Sequence, residues 1–343
     1  LTFDKDFRNL VTGNILHNRL NVKWKSTEHI TAVTELRTRL FWGEEVRLNP
    51  AFVSLLRNEN EKINLQKTWI EDESLVLHTN AERLYLDFQD EALNVRLGRQ
   101  RINWGITTSW NPNDIFNAFN FLDFDYEERP GVDGGKVHYM LSNSSNAEFA
   151  YAFSGRKGSV GAFKYSFNKW NYDVQLIAGW YKDHPTSGVG WAGYIKDAGF
   201  KGEAQYYFPS NDSAGHINLA LEGDYMFESG WYLNAGFLFN DKGLFKPVSD
   251  WSAIDLNLSP ENMMPTRWNM ILTTAKEINP LLSANLSVLY APGTELLIVL
   301  PSVQYNMAPN LDLNLIGQSY IAQMNDSFEA VYHRFFIRMK WSF

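Results

Sequence analysis

The chain has 343 residues, no cysteine, 15% aromatic residues and a formal net charge of −8 at neutral pH. The missing thiols exclude a disulfide framework, a zinc–thiolate site and a cysteine nucleophile, and the acidic balance argues against a nucleic-acid partner. Mean hydropathy is negative although hydrophobic residues abound, and no run approaches the roughly eighteen apolar residues of a transmembrane helix. That combination suits a membrane barrel, in which apolar and polar residues alternate and averages look water-soluble.

Leu1-Thr2-Phe3-Asp4 lacks the basic start and apolar core of a signal peptide, so the sequence reads as a mature or truncated chain. Residues 1–12 suggest an incomplete first strand. Asn14 to Trp24 alternates, with Leu16, Leu20, Val22 and Trp24 on one face and His17, Arg19, Asn21 and Lys23 on the other. After a short turn, Ile30 to Trp42 sets Leu36, Leu40 and Trp42 against Glu35, Arg37 and Arg39, and the pair predicts a hairpin. Residues 43–80 have no period of two, apart from a helical turn suggested by Phe52 to Leu56, and read as an excursion beyond the membrane. Ala81 to Gln89 and Leu93 to Ile102 are again strands, carrying Arg83 and Arg96 on their polar rows. At Gly98-Arg99 the row loses phase, which predicts a bulge or the membrane boundary.

Trp104 to Pro130 is a second excursion, rich in Trp, Phe and Asn. Short-turn strands follow from Gly135 to Phe239, a third excursion covers 240–265, and five more strands run from Thr266 to the end. The last one sets Phe335, Ile337, Met339, Trp341 and Phe343 against Arg334, Phe336, Arg338, Lys340 and Ser342. This ending resembles the C-terminal strand of bacterial outer-membrane β-barrels. About seventeen strands are legible, and closure demands an even number. An incomplete first strand in 1–12 gives about eighteen, and merging a weak one gives about sixteen. Connections alternate too. Turns near 25–29, 89–92, 142–146, 168–171, 196–199, 228–230, 277–280 and 306–310 fall on one side, and the three excursions fall on the other. The expected fold is therefore all-β: one antiparallel transmembrane barrel over residues 1–343, with short periplasmic turns and long external loops, in a bacterial outer membrane.

Leu97-Gly98-Arg99-Gln100-Arg101-Ile102-Asn103-Trp104-Gly105 followed by Trp110-Asn111-Pro112-Asn113-Asp114 resembles a pattern of porin-like outer-membrane barrels of the alginate-export type and their relatives. Asn18-Arg19-Leu20 and Arg39-Leu40-Phe41-Trp42-Gly43 are similar as well. The resemblance covers roughly the first 140 residues. It implies passive or facilitated solute passage and supplies no ligand residues.

If apolar rows face lipid, the polar rows face the lumen. Arg19, Lys23, Arg37, Arg39, Arg83, Arg96 and Lys136, joined across closure by Arg334, Arg338 and Lys340, would form a basic wall. Glu148, Asp173, Glu203, Glu222 and Asp224 would form an acidic wall, interrupted by Lys164 and Lys201. Facing walls of opposite sign would set a transverse field that filters ions; alternatively the charges pair locally, with Glu35 and Asp87 neutralising arginines. The segment from Trp104 is the expected constriction. Its Trp110, Phe116, Phe119 and Phe121 either form an apolar slide or pack against the wall, and packing is the favoured reading. Asn111, Asn113 and Asp114 offer polar contacts or ordinary turn chemistry.

Seven scattered histidines, with no His-Glu-x-x-His run, no Gly-x-Ser-x-Gly elbow and no phospholipase-type His run, give no basis for an enzyme, a metal or a cofactor. The expected function is a channel for small polar or anionic solutes, surrounded by outer-membrane lipid and lipopolysaccharide. The alternative is a plugged barrel whose segments 43–80 and 240–265 dock other envelope proteins. A homo-oligomer is left open.

Overall fold

The computed structural model describes residues 1–57, 61–117, 130–153, 158–210, 213–248, 258–324 and 327–342. The expectations placed on Phe119, Phe121 and Phe343 lie outside them. The chain opens with β1 (Thr2–Asp4), β2 (Leu10–Val11), β3 (Gly13–Lys25) and β4 (Ile30–Gly43). Two single-turn helices, α1 (Glu44–Arg47) and α2 (Phe52–Leu55), and β5 (Gln66–Asp72) precede β6 (Leu75–Gln89), β7 (Leu93–Gln100) and β8 (Val132–Ser142). Then come β9 (Ser145–Phe153), β10 (Ser159–Lys169), β11 (Tyr172–Tyr181), β12 (His184–Ile195) and β13 (Ala198–Tyr207). Next are β14 (His216–Met226), β15 (Trp231–Asn240), β16 (Trp268–Asn279) and β17 (Leu282–Ala291). The chain ends with β18 (Leu296–Ala308), β19 (Leu311–Met324) and β20 (Ser327–Trp341).

All twenty strands belong to one antiparallel sheet, each wall strand pairing with its neighbours in sequence. Only Thr12 separates β2 from β3, and β5 occupies the edge of β6 above the point where β7 begins to pair. Eighteen positions around the wall result. The incomplete first strand expected in 1–12 is β1. It stands between β20 and β2, with Thr2 opposite Arg334 on one side and Val11 on the other. Among the described residues the ring closes through β1 alone. The expected short turns all lie at one end of the barrel, and the long connections at the other.

The period-two rows decide which face meets lipid. Leu16, Leu20, Val22 and Trp24 of β3, Leu84 and Leu86 of β6, Leu176 of β11, Met270 and Leu272 of β16, and Ile337 and Met339 of β20 all point outward and are exposed. Such a continuous apolar belt would drive aggregation in water and is stable in hydrocarbon. Trp24, Trp42, Trp180, Trp231, Tyr290, Tyr305 and Trp341 stand near strand ends and are exposed there, where amphipathic rings suit the lipid headgroup region.

Two departures from the sequence reading have local causes. β12 begins at His184, earlier than the Val189 start legible in the sequence, because its inward row carries Thr186, Gly188 and Gly190 and shows no alternation. The phase loss at Gly98-Arg99 is a single left-handed residue: Gly98 has φ +122°. It turns the row over, so Leu97 is 60% exposed on the lipid side and Arg99 is 2% exposed on the inside. There Arg99 donates to Asp133 Oδ1 (2.8 Å) and Oδ2 (3.1 Å) and lies 3.0 Å from Glu61 Oε1. Asp133 Oδ2 also accepts the backbone N–H groups of Lys62 and Ile63 (2.9 and 2.8 Å), so this buried cluster ties the first external segment to the wall.

A Cβ at Gly98 would sit 2.3 Å from the Leu84 carbonyl oxygen, and a side chain at that φ is strained by about 1–3 kcal/mol. Gly98→Ala is therefore expected to lower the temperature at which the folded barrel loses its compact electrophoretic mobility. An unchanged transition would contradict the role given to this residue.

Candidate functional site

The inner wall carries two unlike halves. On β3, β4, β6, β7 and β8 the inward residues include Arg19, Lys23, Arg37, Arg39, Arg83, Arg96 and Lys136. The register sets Arg19 opposite Arg37, His17 opposite Arg39, and Arg39 opposite His78. Neighbouring strands lie about 4.8 Å apart, less than the screening length of about 8 Å in physiological salt, so these cations reinforce one another. Local pairing trims the row. Arg96 donates to Asp87 (2.8 Å) and lies over the Tyr85 ring, Arg37 lies 3.8 Å from Glu82, and Glu35 stands opposite Arg83. On β20, Arg334 is beside Thr2 of β1, whereas Arg338 and Lys340 stand opposite Asn314 and Asp312 of β19, past the three-residue ladder with β1.

The acidic residues occupy the opposite arc, on β9, β11, β13 and β14. Asp173 is exposed near a short turn and accepts from Asn168 (2.8 Å). Asp224 is 3.3 Å from Lys201 Nζ. The other three are covered by the segment that follows β7. Residues 101–117 leave the rim and fold down the inside of the barrel. Glu203, 0% exposed, receives them: its Oε1 accepts the Thr107 N–H (2.7 Å), the Ile106 N–H and the Thr107 hydroxyl (3.0 Å), and its Oε2 accepts the Asn113 N–H (2.8 Å). Glu222 Oε2 accepts the N–H groups of Thr108 (2.8 Å) and Ser109 (3.3 Å), while its Oε1 accepts from Asn234 (2.9 Å). Glu148 accepts the Trp104 indole N–H and lies 3.5 Å from Lys136 Nζ. These three belong to the acidic wall expected together with Asp173 and Asp224; in the structure they lie under the inserted segment and bind it, and Glu148 and Glu222 also meet Lys136, Lys164 and Lys201.

Burial of that segment is apolar as well as polar. Trp104, packed edge-on to Phe116, lies against Ala150, Ala152, Ala162 and Ile177 of the wall. Trp110 lies in a second inner cluster with Ala220, Leu238 and Ile271. All three aromatics are buried, as are Asn111, Asn113 and Asp114. Asn113 fits because β12 offers glycine where it approaches: a Cβ at Gly188 or Gly190 would come within 2.8 Å of the Asn113 side chain.

A second inserted segment was missed. The third excursion returns inward over 258–266, burying Met263 and Met264 against Leu238, Ile271, Leu289 and Ile298. Asn218 Nδ2 donates to the Pro260 carbonyl (3.0 Å), and Asn240 Nδ2 donates to Asn262 (2.8 Å) and to the Met264 carbonyl. The docking surface expected across 240–265 is thus in part an inner packing surface. The available signal was slight: the inward rows of β15 to β18 place Leu238, Ile271, Leu289, Leu296 and Ile298 among polar residues such as Asn240, Asn269 and Ser287.

No protein-family profile and no curated protein matches the chain. Solved structures do. OccAB3 of Acinetobacter baumannii superposes with a TM-score of 0.59 at 11% identity, covering 96% of this chain and 92% of that one. OpdQ of Pseudomonas aeruginosa gives 0.56 at 9% identity, covering 99% and 96%. OccK7 (OpdD) of the same organism gives 0.56 at 11%, covering 96% and 97%. At these identities the likeness establishes a shared barrel fold.

Removing the Glu203 carboxylate would leave the Ile106, Thr107 and Asn113 N–H groups buried without acceptors, at about 1–3 kcal/mol each. Glu203→Ala is expected to undock residues 104–113 and raise single-channel conductance; conductance equal to that of the parent would contradict the anchoring role.

Proposed function

We propose that this chain is an outer-membrane channel that passes small polar solutes and favours anions. The observation that carries this reading is the asymmetric use of lumen charge. Glu148, Glu203 and Glu222 accept hydrogen bonds from the inserted segment, whereas Arg19, Lys23, Arg37, Arg39 and Lys340 stand on the inward rows of β3, β4 and β20, with Arg19 opposite Arg37. The field in the lumen is then net basic, and a low-dielectric wall concentrates it. The apolar belt meets outer-membrane lipid and lipopolysaccharide, the short turns face the periplasm and the long connections face outward. The barrel fold shared with OccAB3, OpdQ and OccK7 supports this placement. Affinity with the alginate-export type rests on residues 18–20, 39–43 and 97–114 and adds nothing about the solute.

Two inserted segments also suit the other reading, a plugged barrel that docks envelope proteins. Conductance in a planar bilayer separates the two: a barrel that stays silent even with residues 104–130 deleted would refute the channel. In a conducting barrel, replacing Arg37, Arg96 and Arg338 with glutamine is expected to lower anion preference, read as a shift of reversal potential in a salt gradient. Unchanged potentials would exclude this wall from the conducting path.

A further inference from the structure

The wall has a slot between β3 and β20. Among the described residues β3 has β4 as its only ladder partner, whereas β4 lies between β3 and β6. Burial shows the difference. None of the 13 residues of β3 is buried, against half of those in β13, which has a neighbour on each side. β20 pairs with β1 at Tyr332, His333 and Arg334, and Leu1 and Phe335 then exchange backbone hydrogen bonds of 3.0 and 2.8 Å. No second ladder follows further down β20 among the described residues.

Alternate residues of an antiparallel strand turn both backbone groups to the same side. The Leu1–Phe335 exchange puts the odd-numbered residues of β20 on the side of β1, so Ile337 and Met339 turn their N–H and C=O into the slot. On the other edge, the Thr12 N–H donates to Glu44 Oε2 (3.1 Å) and the Thr12 carbonyl accepts the Glu45 N–H (3.0 Å), both on the side of β4. Ile15, Asn21 and Lys23 therefore turn their backbone groups into the slot. The neighbouring Leu16, Leu20, Val22, Ile337 and Met339 side chains belong to the outward apolar belt. A sheet edge left open at that depth has neither water nor protein to satisfy it, and such edges are not tolerated in hydrocarbon.

Direction decides what fits. β3 and β20 both run from the long-connection end to the short-turn end, so they cannot complete an antiparallel wall by meeting each other. β1 runs the opposite way and stands between β20 and β2. It holds the two edges two ladder steps apart, about 9.6 Å. The slot is one strand wide, and the strand it needs runs up into β1.

We propose that the slot is filled by one more strand of the same polypeptide, in which the residues preceding Leu1 continue β1 toward the periplasmic end and pair with β20 on one side and β3 on the other. The register follows from Thr2, which stands opposite Arg334 and Val11. Counting back from it, the fourth residue before Leu1 lies between Met339 and Leu16 and faces lipid, and the fifth lies between Lys340 and His17 and faces the lumen. The added strand is therefore apolar outward and polar inward. The inference needs the barrel and not its conduction.

The 343 residues include no cysteine, so paired substitutions report the seam in the mature protein isolated from outer membranes. A cysteine at the fourth residue before Leu1, combined with Leu16→Cys, is expected to form a disulfide within one chain on mild oxidation, because facing residues of adjacent strands are about 4.5–5.5 Å apart at Cα. Leu16→Cys with Met339→Cys is expected to form none, since a strand lies between them. A disulfide between Leu16→Cys and Met339→Cys would show the two edges meeting and would overturn the proposal. So would the absence of both disulfides, a disulfide-linked dimer that puts a second copy's strand in the slot, or a mature protein whose first residue is Leu1. Amide hydrogen exchange in the unsubstituted protein gives a second reading. The Ile337 and Met339 N–H groups are expected to exchange as slowly as those of Leu313 and Leu315 on β19, which has ladders on both sides; markedly faster exchange would also overturn it. A barrel that is silent in bilayers but cross-links as expected would refute the channel and leave the added strand in place.

Discussion

The interior of this barrel is organised around one carboxylate. Glu203 has no access to water, and a buried ionised carboxylate is tolerated only when its oxygens are well supplied with donors. The donors come from the backbone of residues 106–113, together with the Thr107 hydroxyl. The dependence is mutual. The inserted segment lacks regular secondary structure, so its N–H groups need acceptors inside the barrel, where water is scarce. Glu203 and Glu222 provide them. The path of the segment and the cover over these two carboxylates are thus set by the same hydrogen bonds.

That coupling changes what the charged rows mean. Taken as two facing walls, they would make a transverse field with no net preference for sign. Folding residues 101–117 over the acidic arc covers Glu148, Glu203 and Glu222, and Asp114, on the described part of that segment, is itself buried. Pairing within the basic arc, such as Arg96 with Asp87, reduces its charge.

Much of the fold was legible in the sequence because a strand with lipid on one side and water on the other must alternate. The two-faced strands were found apart from β5 and the start of β6, which lie within the stretch 43–80 that reads as an excursion, and the short turns marked the ends. What escaped had inner faces that meet protein. The front of β12 carries Gly188 and Gly190 to admit Asn113, and β16 to β18 carry Ile271, Leu289 and Ile298 to receive Met263 and Met264. Such rows look like weak or doubly apolar strands. The small residues Ala150, Ala152, Ala162, Ala220 and Gly236, all on inward rows, marked where a loop would lie close, but a spacing of two cannot say which loop. The role of Glu203 was illegible for the same reason. Its partners are long-range, more than ninety residues away, and composition carries no trace of them.

The central claim is that the lumen is left basic once the acidic arc is covered. Permeation into liposomes carrying the purified barrel tests it without altering the protein, using a matched pair of small organic solutes of equal size and opposite charge. The account predicts that the anion enters faster, and that the difference shrinks as added salt screens the wall. Faster entry of the cation would contradict it.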